Sequence, residues 1–362
     1  MENIKTNISG QTGFVRQSNF ELLRILCMLM LTAGHLIYYF GSAVETTGFE
    51  ANIGHLIKSF TIVSVNCFIL ISGYFGIRSR TSKVLKLCFM VWFYSIAGFV
   101  IGLFAGTAVI SKAYIIDDLR YIFPITVRTW WFITMYLALT LLSPWLNKFT
   151  EFLSQKSFTM LLIALFAMFC LLPTVCKLLS ARSMTDDNGY GIVNFIFLYF
   201  VGRYIRKYDV FHSGKLRYLL LYCASSAVLF FADMILSKVY GAGKVYFLSY
   251  DTVFCFVGSV MLFLFFKNIR FTSKAVNYIG KNVLSVYLIY MHPALTGLIF
   301  YKIFDIYRFR GALFVAECFV VPVIIFVFCR LIELLRSAVF GKFEKIMSEE
   351  AEATVSNLLK RF

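Results

Sequence analysis

Charge is scarce in this chain. Asp, Glu, Lys and Arg make up 15% of its 362 residues, while 60% are hydrophobic and the mean hydropathy is +0.78. An ordinary globular domain carries about 25% charged residues. So few charges cannot coat a soluble surface, and the long apolar runs between them suit a bilayer. Negative charge is scarcer still, with 19 acidic against 35 basic residues. Proline occurs five times, and no polar or low-complexity stretch divides the chain, which argues against a string of soluble modules. The phosphate-binding G-x-x-x-x-G-K loop, G-x-G-x-x-G, the zinc motif H-E-x-x-H and the serine-hydrolase elbow are all missing. Nucleotide hydrolysis, zinc hydrolysis and serine-hydrolase chemistry therefore find no support. The nine cysteines are scattered, with no C-x-x-C pair and no histidine at ligand spacing. They read as small apolar side chains at helix contacts, and neither a metal site nor a disulfide framework is expected.

What the chain does have is a series of apolar runs near residues 19–41, 56–77, 87–108, 129–147, 158–178, 190–206, 217–236, 246–267, 282–301 and 311–333. Each is close to the roughly 20 residues that cross a bilayer. The expectation is an all-α, polytopic membrane helical bundle of about ten transmembrane helices. With both termini cytoplasmic, most Lys and Arg fall on the inner side, as the positive-inside bias requires. The net charge of +16 is then topological, and nucleic acid is not an expected partner. Residues 1–15 read as a disordered tail, 16–339 as one transmembrane domain, and 340–362 as a cytoplasmic tail or surface helix. The first apolar run has no cleavage site behind it, so no removable signal is expected.

Ionisable groups inside such spans are functional candidates by default. Arg24 and His35 stand in the first run, eleven residues apart. Eleven helical steps make about three turns, so both project from one face, roughly 16 Å apart along the axis. The unperturbed pKa of a histidine lies near neutrality, so His35 suits a general base, or else it is satisfied by a neighbouring helix. Arg24 cannot shed its charge; it either pairs with Glu21 three residues earlier or holds a phosphorylated or carbonyl ligand. His292 precedes Pro293 in the ninth run, where a freed carbonyl points to a hydrated cavity. His55 and His212 read as solvated, and Asp233 and Glu317 as paired between helices or as parts of a proton relay. Ser72-Gly73-Tyr74 closes the second run, with Gly73 allowing close helix approach and Tyr74 anchoring at the interface.

The inner loops are basic: Arg78, Arg80, Lys83 and Lys86; Arg203, Arg206, Lys207, Lys215 and Arg217; Lys267, Arg270, Lys274 and Lys281. Each cluster suits anionic lipid headgroups or a phosphorylated ligand. The outer segments carry mixed charge and tyrosine, with Lys112, Tyr114, Asp117, Asp118, Arg120, Tyr121 and Arg128 in one and Arg182, Asp186, Asp187, Asn188 and Tyr190 in the next. That composition fits a glycan or a plain solvated loop.

Together these pieces resemble the acyltransferase-3 family of integral-membrane acyltransferases. The opening Arg16, Glu21-x-x-Arg24 and His35 is similar to the family's acidic-x-x-Arg-x10-His pattern. Ser72-Gly73-Tyr74-Phe75 with the basic loop behind it resembles the Ser-Gly-aromatic segment. Trp130-Trp131-Phe132 with Ser143-Pro144, Tyr199 to Tyr208, and Tyr287-Leu288 resemble the fourth, sixth and ninth spans. The acidic member is Glu21 where Asp is common, and His292 lies farther behind Tyr-Leu than in many relatives. The resemblance implies an acyl-CoA donor, usually acetyl-CoA, entering from the cytoplasm, and an acceptor hydroxyl on an exopolysaccharide, capsule or lipid-linked glycan. It implies His35 as base and Arg24 as its essential partner, with Glu21, Ser72, Tyr287 and His292 in support. Arg78 and Arg80, with Lys83 beside them, become the candidates for coenzyme phosphates. The expected location is a bacterial cytoplasmic membrane, among its lipids and beside glycan-synthesis machinery. The rival readings are an exporter of polysaccharide or lipid-linked glycan, which midplane polar residues and a proline-interrupted span also suit, and a non-catalytic scaffold.

Replacing Arg78 and Arg80 together by alanine is expected to weaken coenzyme binding, measured by titration of the protein in lipid. Unchanged affinity at physiological salt would return both residues to topology alone.

Overall fold

The computed structural model describes residues 16–43, 48–109, 121–209, 211, 214–241 and 247–359. Among these the chain is all-helical, with no strand. The helices are α1 (Ser18–Ala43), α2 (Phe49–Thr61), α3 (Ser64–Phe75), α4 (Thr81–Phe104), α5 (Trp131–Phe152), α6 (Gln155–Phe166) and α7 (Leu172–Leu178). They continue with α8 (Ile192–Tyr208), α9 (Lys215–Tyr240), α10 (Val253–Lys267), α11 (Lys274–Ile279), α12 (Leu284–Tyr290) and α13 (Ala312–Leu359). A π-helical turn, Ala167–Leu171, joins α6 to α7, and another spans Leu298–Ile303. The 1–15 tail, Lys112, Tyr114, Asp117, Asp118, Arg120 and His212 lie outside the described residues.

Six helical stretches among the described residues are long and apolar enough to cross a membrane: Ser18–Gly41, Phe49–Phe75, Thr81–Phe104, Gln155–Leu178, Lys215–Tyr240 and Ala312–Asn357. The protein is a multi-pass membrane protein. The remaining four expected spans take other forms. The run 129–147 becomes α5, whose apolar course is broken by Ser143-Pro144 and the polar Asn147 and Lys148. Pro144 removes the N–H that would reach the Thr140 carbonyl, and the Ser143 hydroxyl donates to that carbonyl at 2.7 Å instead. The runs 190–206 and 246–267 become α8, of 17 residues, and α10, of 15, both short for a full crossing.

The run 282–301 is not one helix. α12 stops at Tyr290, and Pro293 follows a turn in which the His292 carbonyl accepts from Leu295 N–H at 2.8 Å and Thr296 N–H at 2.9 Å. A proline with no N–H to donate ends the ladder there. At the other extreme, α13 has 48 residues and continues without a break through position 340, where a separate tail was expected to begin. At 1.5 Å per residue it reaches roughly 70 Å, more than twice a hydrocarbon core, so much of it projects beyond the bilayer.

The first helix is the hub. α1 packs against α2, α3, α10, α11, α12 and α13, while α3 packs on α8 and α9 on α10. The α3–α8 contact is a backbone contact through two glycines. A Cβ at Gly73 would run into the Tyr199 carbonyl oxygen, and one at Gly202 would sit 2.5 Å from the Leu70 oxygen. Small residues permit this approach where lipid supplies no hydrophobic drive between helices. Tyr74, expected at the interface, is buried, with the Arg206 guanidinium 5.3 Å from its ring centroid.

Gly73→Ala is expected to destabilise the protein by about 3 kcal/mol, the upper part of the usual overpacking range. The readout is a lowered melting temperature in detergent; an unshifted transition would mean that α3 and α8 are free to separate.

Candidate functional site

α1 presents Arg24 and His35 to a row of adjacent cavities. At the Arg24 end, the Glu21 Oε1 accepts from Arg24 Nη1 at 2.6 Å and is paired with Arg16 Nη1 at 3.3 Å. The Glu21 side chain is only 4% exposed, whereas that of Arg24 is 29% exposed. A buried carboxylate thus anchors a guanidinium that still reaches open space, as a permanently charged group in an apolar setting requires. The second carboxylate oxygen, Oε2, makes no hydrogen bond and lies where a Cβ on Gly280 would stand. The space Arg24 faces is a cavity of about 420 Å³ bordered also by Gln17, Ser72, Tyr136 and Asn282.

At the other end His35 is held by a hydrogen-bond chain. Its Nδ1 lies 2.9 Å from the Tyr290 hydroxyl, which also meets the Thr32 side chain. The Thr32 hydroxyl donates to the Met28 carbonyl at 2.9 Å. In one tautomer the imidazole donates through Nδ1–H to the Tyr290 oxygen; in the other the Tyr290 O–H donates to Nδ1. In the first, Nε2 carries the lone pair and suits a general base.

Three neighbouring cavities lie between the two ends. The Arg24 cavity shares Phe68, Phe132 and Leu284 with a small apolar chamber of about 30 Å³, which His35 and Tyr287 also line. That chamber holds two or three water-sized groups. It shares Leu31, His35, Trp131 and Tyr250 with a third cavity of about 310 Å³, bordered by Lys58 and Tyr190. His35 thus stands on the wall between a narrow throat and a wider chamber.

The sequence-derived candidates divide. Arg24, Glu21, Ser72, Tyr287 and His35 line this route. Ser72 donates to the Phe68 carbonyl at 2.8 Å and lies 3.5 Å from the Tyr136 hydroxyl. His292 lies elsewhere, wholly buried against α4: its Nε2 is 2.9 Å from the Ser95 carbonyl and its Nδ1 accepts from Ala294 N–H at 3.1 Å. Both ring nitrogens serve the backbone, and the ring occupies the space that Gly98 leaves by having no side chain. Arg78, Arg80 and Lys83 are exposed and line none of the three cavities; they follow α3 just beyond Phe75, which borders the Arg24 cavity. His55, read as solvated, pairs with Asp233 at 2.6 Å. The Glu317 Oε2 is buried without a hydrogen-bond partner.

Several contributors escaped the sequence reading. Tyr290 and Thr32 have no motif; only the placement of α12 against α1 reveals them. Asn66 donates to the Tyr250 carbonyl at 3.0 Å, and Lys177 binds both oxygens of Asp251 at 2.7 and 2.9 Å, pinning the segment that carries Tyr250 to the third cavity. On α13, Glu333 accepts from Arg336 at 2.8 and 3.0 Å, from Tyr94 at 2.6 Å and from Asn282 at 2.9 Å. Asn282 borders the Arg24 cavity, so this buried cluster ties the last helix to the site.

Residues 17–332 match a family model described as an acyltransferase domain, that of acyltransferase family 3. No curated protein and no solved structure matches the chain. The match favours enzymatic transfer over the export reading.

Because the chain has only four histidines, nitrogen-15 labelling can resolve His35. The wild-type ring is expected to carry its proton on Nδ1, donating to the Tyr290 hydroxyl, and Tyr290→Phe, which removes that partner, to shift it toward an Nε2-protonated mixture. A ring already protonated on Nε2 in the wild type would reverse the direction of that hydrogen bond.

Proposed function

The chain belongs to the acyltransferase-3 family, and from that premise we propose that it is a membrane O-acetyltransferase. In this reading it moves an acetyl group from acetyl-CoA to a hydroxyl of an exopolysaccharide, capsule or other surface glycan, free or lipid-linked. The observation that carries the reading is His35, hydrogen-bonded at Nδ1 to Tyr290 beside a chamber of acetyl-group size; in this reading Nδ1–H donates to the tyrosine and Nε2 is the basic nitrogen. The bundle is proposed to comprise ten spans with both termini cytoplasmic, in a bacterial cytoplasmic membrane beside the machinery that makes the glycan.

The donor enters at the Arg24 cavity. Its thioester arm passes Arg24 and Ser72, while its phosphates stay at the inner surface near Arg78, Arg80 and Lys83. Because Arg24 and His35 are roughly 16 Å apart along α1, Arg24 positions the donor and does not touch the reacting carbonyl. The acceptor enters from the other side and places a hydroxyl at His35 Nε2. The hydroxyl oxygen attacks the thioester carbonyl as His35 takes its proton, and the Tyr287 hydroxyl donates to the developing oxyanion. The carbon–sulfur bond then breaks, and the imidazolium returns the proton to the coenzyme thiolate. The products are the acetyl ester and free coenzyme A.

The test is acetyl transfer from labelled acetyl-CoA by the purified protein in lipid nanodiscs, with acceptor glycan supplied. His35→Ala is expected to lower the rate by about 100-fold or more, in keeping with the usual contribution of a general base, and Tyr290→Phe by less. Wild-type turnover in a folded His35→Ala protein would remove His35 from the base role.

A further inference from the structure

The third cavity, beyond His35, differs in charge from its surroundings. Among the described residues that line it, Lys58 is the one lysine or arginine, and none is acidic. The Asp233 carboxylate on α9 is in electrostatic reach of Lys58. It is buried, and its Oδ2 is already 2.6 Å from His55 Nδ1. One carboxylate therefore serves two α2 residues a helical turn apart, and it does so from outside the cavity wall. An ammonium has three N–H donors, enough for partners within the protein and a ligand together. A lysine directed to a cavity inside a membrane bundle is costly, and it marks the passage of something that repays that cost.

The same cavity has an aromatic lining. Trp131 and Tyr190 have ring centroids 4.5 Å apart, Tyr190 and Tyr250 5.0 Å, and Trp131 and Tyr250 5.8 Å. The three rings are inclined to one another and form one aromatic cluster with hydroxyl and indole edges on the cavity lining. Such a lining accepts the C–H face of a sugar ring, and a volume of about 310 Å³ lies at the lower end of the ligand-pocket range. The cavity thus combines a ring-binding wall, a cation and, at its inner edge, His35.

We infer that this cavity selects an acidic acceptor. A sugar residue bearing a carboxylate or phosphate group pairs its anion with Lys58, lays its ring against Trp131, Tyr190 and Tyr250, and so presents a hydroxyl to His35. The assignment rests on the acetyl-transfer reading for its catalytic meaning, but the binding preference exists without any donor. Lys58 is a specificity residue here, and it takes no part in the bond changes.

The experiment uses the full chain in nanodiscs without donor and matched probes: a tetrasaccharide containing glucuronic acid, the same tetrasaccharide with its carboxyls reduced to alcohols, and a phosphorylated form of the reduced sugar. Binding is read by calorimetry at physiological salt. The wild type is expected to bind at least one anionic form about tenfold more tightly than the neutral form, and the two anionic arms tell carboxylate from phosphate recognition. Lys58→Met should reduce that preference to about twofold or less, and Lys58→Arg should retain it. Equal binding of charged and neutral sugars, binding of none of them, or a preference that survives Lys58→Met in a folded protein would overturn the inference. Acetyl transfer is then measured separately on the same probes. Selective binding without transfer to any probe leaves this site standing and counts against the acetyl-transfer reading, whereas equal transfer to charged and neutral sugars does the reverse.

Discussion

A charge withdrawn from water must be met by the protein, and that constraint organises the bundle around α1. Arg24 keeps its guanidinium in an apolar setting because Glu21, buried one turn earlier, accepts its N–H at 2.6 Å. Desolvating either ion alone costs several kcal/mol, and a pair of this geometry offsets much of that cost. Glu21 in turn depends on Arg16 and on the missing side chain of Gly280. The cation is thus held at its base while its head borders an open cavity. Moving any member of this group would leave either an unpaired ion or no access.

The same constraint recurs wherever the site meets the rest of the fold. Glu333 on α13 is surrounded by Arg336, Tyr94 and Asn282, drawing the last helix, α4 and the edge of the Arg24 cavity into one polar cluster. Lys177 and Asp251 perform a similar task beside the third cavity. Each cluster lies at an end of the route and joins elements far apart in the chain. Truncating one partner of such a cluster exposes the other to an unmet desolvation cost, so these positions support the site without lining it.

Neutral features shape the route between the charged ends. Pro293 ends α12 at Tyr290 and directs His292 into a turn where both ring nitrogens bond to backbone. The break leaves Tyr290 as the terminal residue of a short buried helix, with its hydroxyl against His35 and Thr32. Proline and the π-helical turn after it thus have a functional consequence: the histidine near the break is structural, and the tyrosine before it orders the other histidine. The glycine contacts of α3 with α8 hold Ser72 and Phe68 close to the bundle axis, where Phe68 narrows the throat.

Composition and hydropathy alone placed the chain in a membrane, because no soluble surface can be made from so little charge. Helical periodicity put Arg24 and His35 on one face, and the acidic-x-x-Arg-x10-His spacing pointed to the family that the match over residues 17–332 bears out. These properties are local, readable from neighbours along one helix. The interrupted course of the ninth apolar run, the 48-residue last helix and the shortness of α8 and α10 were not legible, since apolar runs report burial and say little about where a helix stops. The hydrogen bond of His35 to Tyr290, the pairing of His55 with Asp233, and the meeting of Lys58 with an aromatic cluster were decided by tertiary structure alone. Each joins side chains from helices distant in sequence, and a hydrogen bond or a cavity exists only once packing has set their separation to within an ångström.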